Sequence, residues 1–226
     1  MASEAKPIPN NVNDYSIGKV GHAVTVYGSS RAVPGTPLWD IAEETGRRAA
    51  ENGMTIYSGG YGGTMEAVSK GAREVIDAGK APKELFATNV EVHGLLCPGQ
   101  FPDRMLVGNK WLTQSTDANN MCHRIDLLTS RSRYFVVLPG TMGTMMELSS
   151  IWCLWYVHPT QHDRPIIFAF RDPWEQVCND IAKGLKLPSD QVGAVHFVDR
   201  PEEIFEAIAE DRRKHAPEMP PAAPTR

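Results

Sequence analysis

The chain has 226 residues, 42% of them hydrophobic, with 23 Lys and Arg against 27 Asp and Glu for a formal net charge of −4. That apolar content can bury a core, which excludes wholesale disorder, and the slight acidity excludes a general polyanion binder, so no nucleic-acid partner is expected. Any anionic ligand must be held locally.

The first 18 residues are polar and Asn/Pro-bearing and the last ten read PEMPPAAPTR, so 1–18 and 214–226 are expected to be flexible tails around one domain spanning 19–213. Inside it, apolar β-type runs alternate with helical patterns, the signature of βαβ units. AVTVY (23–27) is a strand running into Gly28-Ser29-Ser30-Arg31, and a helix starts at Pro37 and stops at Asn52-Gly53. Residues 54–57 form a strand entering Ser58-Gly59-Gly60-Tyr61-Gly62-Gly63, followed by a helix from Thr64 to Ala78. A third strand is expected at Leu85–Val90, then a long loop over 91–115 and a helix over 117–130. YFVVL (134–138) is a strand entering Pro139-Gly140-Thr141-Met142-Gly143-Thr144, with a helix through Glu147 to about Tyr156. A strand at 165–170, a helix at 173–185, a strand at 195–198 and a helix at 201–212 complete the chain. The fold class is therefore α/β: a doubly wound, Rossmann-like parallel sheet in a single domain, with ligands expected outside the carboxyl ends of its strands.

Three glycine-bearing turns fall on that rim. GSSR, SGGYGG and PGTMGT each follow a strand and precede a helix, so backbone N–H groups and a helix dipole can face an anion with no bulky side chain in the way. Phosphate is the expected guest. Turn geometry alone is the competing reading for each. A nicotinamide dinucleotide fits poorly, because GxGxxG is missing and the second strand ends in Tyr57-Ser58 rather than an acidic residue; no GKS or GKT follows any turn either.

Cys97, Cys122, Cys153 and Cys178 show no metal or disulfide spacing and the seven histidines share no ligand pattern, so reduced thiols and no metal are expected. With no leader-like segment and no long apolar run, a cytoplasmic protein without membrane contact is the default.

The segments Ser58–Ala67, continuing to Lys70-Gly71-Ala72, and Pro139–Leu148 together resemble the LOG (Lonely Guy) family, cytokinin riboside 5′-monophosphate phosphoribohydrolases that often carry an older lysine decarboxylase label. The likeness covers about residues 22–171. It departs at Thr141, in place of a second glycine of PGGxGTxxE; at Met146, in place of an acidic residue; at Ile125, where the family has Lys after Arg124; and at Ser58, the first position of a GGG turn. Glu66 looks like the larger LOG-type nucleotide hydrolases.

The resemblance implies hydrolysis of a nucleoside 5′-monophosphate to free base and ribose 5-phosphate, AMP or an N6-modified AMP first, with no cofactor and with a homodimer whose helices pack across a two-fold axis. Segment 151–157, IWCLWYV, is the candidate interface. Cleaving the N-glycosidic bond develops positive charge on the ribose carbon, which a fixed carboxylate stabilises. Glu147 is the choice for that carboxylate, and Arg124 would orient it or touch the nucleotide. Gly28, Ser29, Gly59, Gly60, Gly63, Glu66, Pro139, Gly140, Thr141, Gly143 and Thr144 are the candidate phosphate and nucleotide contacts, with Arg31 a weaker one. Base-contacting residues are expected from the 91–115 loop. The competing readings are the same reaction on a pyrimidine or another modified nucleotide, and a non-catalytic nucleotide or molybdenum-cofactor carrier of the same fold. A lysine decarboxylase is rejected, since no lysine has a recognisable Schiff-base context.

Overall fold

The computed structural model describes residue 15 and residues 20–82, 89–100, 107–158 and 164–216. The strands are β1 (Ala23–Tyr27), β2 (Thr55–Ser58), β3 (Val92–Leu96), β4 (Gln114–Asp117), β5 (Tyr134–Val137), β6 (Ile166–Phe170) and β7 (Val195–Val198). The helices are α1 (Pro37–Glu51), α2 (Thr64–Asp77), α3 (Met121–Ser130), α4 (Met142–Val157), α5 (Arg171–Leu185), the single-turn α6 (Ser189–Val192) and α7 (Pro201–Lys214). All seven strands join one parallel sheet in the order β4-β3-β2-β1-β5-β6-β7. The central strands AVTVY and YFVV are buried throughout, because helices cover both faces of a parallel sheet. One core layer holds Trp39, Ala42, Val68, Ile204 and Phe205 from α1, α2 and α7 against the sheet. The other holds Leu128 of α3, Leu148 and Ile151 of α4 and Trp174 of α5. Strand order reverses at β1, between β2 and β5, so the crevice of a doubly wound sheet opens beyond the C-terminal ends of β1 and β5.

Two strands depart from the sequence expectation. The third lies at Val92–Leu96, inside the segment read as a loop; of the expected strand at 85–90, residues 85–88 lie outside the described residues. VHGLL hides as a strand because Gly94 interrupts it, and that glycine is needed where its backbone approaches Gly60. The fourth, QSTD, has no apolar residue and forms an exposed sheet edge, so hydrophobic patterning cannot reveal it. The helix expected from 117 begins at Met121 instead, where the Asn120 side chain accepts the backbone N–H of His123 at 2.9 Å. Tyr15, assigned by sequence to a tail, is buried against Phe135 and donates its hydroxyl to the Thr129 carbonyl at 2.8 Å. Among the described residues, no helix is long and apolar enough to cross a membrane.

Candidate active site

The three glycine turns follow β1, β2 and β5, and the structure uses them differently. The turn after β1 is tied to the start of α2: the Ser29 carbonyl accepts the Thr64 backbone N–H at 2.8 Å and its hydroxyl at 3.1 Å. Gly28 has no room for a Cβ because Thr64 Oγ1 occupies that space, and Gly63, at φ +72°, sits where a Cβ would collide with the Ser29 carbonyl. The first N–H of α2 is therefore already satisfied within the protein.

In the turn after β2, carbonyls are bonded inward. The Gly60 carbonyl accepts both the backbone N–H of Asn109, at 2.8 Å, and its side-chain amide, at 3.2 Å. The same amide donates to the Tyr61 carbonyl at 3.1 Å, and Tyr61 accepts the Cys97 N–H on its hydroxyl at 2.8 Å.

The turn after β5 stays open. Thr141 caps α4 without a side-chain bond, Thr141, Met142 and Gly143 are exposed, and a Cβ on Gly143 would meet nothing. The first-turn N–H groups of α4 lack intrahelical partners and have a helix dipole behind them, so this turn can receive an anion.

A cavity of about 180 Å³ lies beside it, lined by Gly28, Ser30, Met65, Met121, Arg124, Ile125, Thr141, Gly143, Thr144, Met146 and Glu147. Glu147 and Arg124 form its ion pair, Nη1 to Oε1 at 3.5 Å, with side chains only 12% and 7% exposed. Arg124 is anchored from three further sides: Nε donates to the Leu95 carbonyl at 2.8 Å, Nη2 to the Gly59 carbonyl at 3.4 Å, and its guanidinium carbon lies 6.0 Å from the Tyr61 ring centre. The phenol of Tyr27 is pushed well above its ordinary pKa, first by burial and then by the Glu147 carboxylate. It stays neutral and donates to the Leu128 carbonyl of α3 at 3.1 Å.

Of the residues expected from sequence, Gly28, Arg124, Thr141, Gly143, Thr144 and Glu147 come together around this cavity. Ser29, Gly59, Gly60, Gly63, Glu66, Pro139 and Gly140 do not line it. Gly59 backs the arginine, Gly63 and Ser29 join two turns, and Gly140 packs on the Thr144 side chain. Arg31 is exposed, its backbone N–H donating to the Ser29 hydroxyl. Ser30, Met65, Met121, Ile125 and Met146 line the cavity without having been picked out as contacts; Met65 and Met146 lie inside the quoted motifs, which was the available signal. None of the described residues of 91–115 lines it, and on that side the lining comes from Met121, Arg124 and Ile125 of α3 and Met146 and Glu147 of α4.

The family model described as "Possible lysine decarboxylase" matches residues 65–208, and the SLOG cluster4 family model matches residues 21–81. Two relatives named cytokinin riboside 5′-monophosphate phosphoribohydrolase are similar to the chain. That of Mycobacterium tuberculosis is 31% identical over 140 residues, covering 61% of this chain and 64% of the relative. That of Mycobacterium marinum is 30% identical over 149 residues, covering 63% and 67%. The match thus spans just under two thirds of the first relative's length. Among solved structures, a structural-genomics target designated TM1055 superposes with a TM-score of 0.59 at 23% identity, covering 83% of this chain and 98% of that one. The molybdenum cofactor carrier protein of Chlamydomonas reinhardtii gives 0.58 at 16% identity, covering 83% and 96%. The molybdenum cofactor binding protein of Rippkaea orientalis gives 0.57 at 16%, covering 83% and 94%. These structural likenesses show a shared fold. With the family model matched over more than half its length and both glycine motifs built into one rim, the chain belongs to the LOG family, the group long described as possible lysine decarboxylases.

Proposed function

We propose that the protein hydrolyses the N-glycosidic bond of a nucleoside 5′-monophosphate, AMP or an N6-modified AMP first, releasing free base and ribose 5-phosphate. The observation that carries this reading is the low-exposure Glu147–Arg124 pair in a cavity beside the open N-terminus of α4. The 5′-phosphate is received by the N–H groups of Gly143 and Thr144, which brings the sugar over the pair. As the bond from C1′ to the base nitrogen breaks, its electrons leave with the base and the ribose carbon gains positive charge. The Glu147 carboxylate stabilises that charge and takes a proton from the water whose oxygen bonds to C1′; the departing base is protonated in turn. Arg124 holds the carboxylate in place. The names of the two mycobacterial relatives support the same reaction class.

The active unit we propose is a homodimer. The outward face of α4 exposes Met142, Tyr156 and Val157, apolar side chains suited to a second copy. Four free cysteines suit a cytoplasmic setting.

The test is incubation of the purified chain with AMP, GMP, CMP, UMP and N6-isopentenyl-AMP, with free base read by chromatography. Wild type is expected to release base, and Glu147→Ala to lose about 10²–10⁴-fold in kcat, the scale of removing a positioned acid–base or electrostatic group. Tight binding of nucleotides with no base released from any of them would establish the carrier reading instead. Equal cleavage by Glu147→Ala would remove this residue from the chemistry.

A further inference from the structure

We propose that the base is received on an apolar shelf made by Met121, Ile125 and Met146, without hydrogen bonds to its edges, so that the enzyme discriminates only weakly between bases. This rests on the hydrolysis proposed above.

A cavity of about 180 Å³ is smaller than the roughly 300–1,000 Å³ that encloses a complete drug-sized ligand. It therefore surrounds only part of a nucleotide. The α4 N-terminus, Thr141, Ser30 and the Glu147–Arg124 pair supply the polar groups for the sugar-phosphate part. What remains on the α3 and α4 side is apolar. Met121 and Ile125 are four residues apart on α3 and so share a face, and Met146 stands next to Glu147 on α4 with 42% of its surface exposed.

None of these three side chains can donate a hydrogen bond, and a thioether accepts only weakly. Among the described residues of 91–115, none lines the cavity to provide an edge-reading amide or hydroxyl instead. Apolar contact separates ligands that differ slightly in shape by about 10–200-fold, whereas a site built to hydrogen-bond a substrate group rejects the analogue lacking it by about 10⁴–10⁵. The flexible methionines re-pack around purines and pyrimidines alike.

The experiment compares kcat/KM of the full-length chain for AMP, GMP, CMP and UMP. The expected spread is within about 200-fold and lies mainly in KM. One base favoured by about 10⁴ or more would overturn the shelf while leaving the hydrolase reading intact. In the double variant Ile125→Asn, Met146→Gln, which adds donors and acceptors to the shelf, the spread should widen about tenfold or more. A spread unchanged in that variant, with inhibition by ribose 5-phosphate retained to show a folded site, would place the base elsewhere and end the proposal. If wild type releases base from none of the four nor from N6-isopentenyl-AMP, the hydrolase reading fails. The shelf is then judged by the Kd values of the same nucleotides: a spread within about 200-fold sustains it and one of about 10⁴ ends it.

Discussion

Arg124 shows how a charged side chain can be spent on geometry. Its Nε, Nη2 and Nη1 point respectively at the Leu95 carbonyl, the Gly59 carbonyl and the Glu147 carboxylate, and the Tyr61 ring closes the remaining side. A planar fork committed in this way is preorganised to fix the carboxylate and has little freedom to follow a ligand. Gly59 is the permissive residue behind it, since a Cβ there would collide with Nη2 and press on the Met65 sulfur. Gly59→Ala should therefore keep the fold yet displace the pair. A shift of about 1 Å is worth roughly a hundredfold in rate, so kcat is expected to fall by that order while the thermal midpoint changes little. An alanine variant with unimpaired kcat would show that Arg124 does not set the position of Glu147.

At the scale of elements, the closest helix pair is α1 against α2, and it is closed by glycines. A Cβ on Gly46 would run into the Val68 carbonyl of α2, and one on Gly71 into the Glu43 carbonyl of α1. Glycine inside a helix costs about 1 kcal/mol relative to alanine, so these positions are kept for the backbone approach they permit. Overpacking costs about 1–3 kcal/mol, which outweighs the propensity gain. Gly46→Ala should thus lower unfolding stability in urea by up to about 2 kcal/mol, after the propensity gain is subtracted, even though it improves the isolated helix. An increase in the urea midpoint would refute that packing argument. Because α2 also carries Thr64, which is bonded to the Ser29 carbonyl, a loosened α1–α2 contact is expected to reach the β1 turn at the cavity edge.

For the whole molecule, pH is the most direct probe of buried polar groups. His93 is buried and its pKa is lowered first by that burial and then by nearby Arg131; His22 is lowered by burial and by Arg212. In the unfolded chain both titrate near their model value of 6.5. Over the window between that value and the lower folded one, the unfolded state binds more protons, so stability rises with pH there. The stability is fully present above 6.5 and is lost as pH falls toward the depressed folded values. The thermal midpoint should accordingly drop between about pH 7.5 and about pH 5, and a His22→Gln, His93→Gln double variant should flatten that slope. An unaltered slope would assign the pH dependence to groups other than these two, His196 included.

Sequence reasoning reached the helices, the central strands and the two strand-to-helix motifs, because apolar period and glycine placement are local properties of a chain. AVTVY and YFVV can only be buried strands, and Glu147 stands three residues past Thr144 wherever the helix goes. Local pattern failed at VHGLL, broken by a glycine required by a neighbour 34 residues away in sequence (Gly60 to Gly94), and at QSTD, which is a strand only because β3 offers it an edge. The same divide runs through the site. That an acid and an arginine are the candidate pair follows from the motifs. That Arg124 lies 3.5 Å from Glu147, that carbonyls of two of the three glycine turns accept hydrogen bonds from distant segments, and that methionines and an isoleucine line the cavity are decided by packing between distant segments. Composition carries the chemistry a chain has available, but which donors remain for a ligand is settled only when every other donor has found its partner in the folded state.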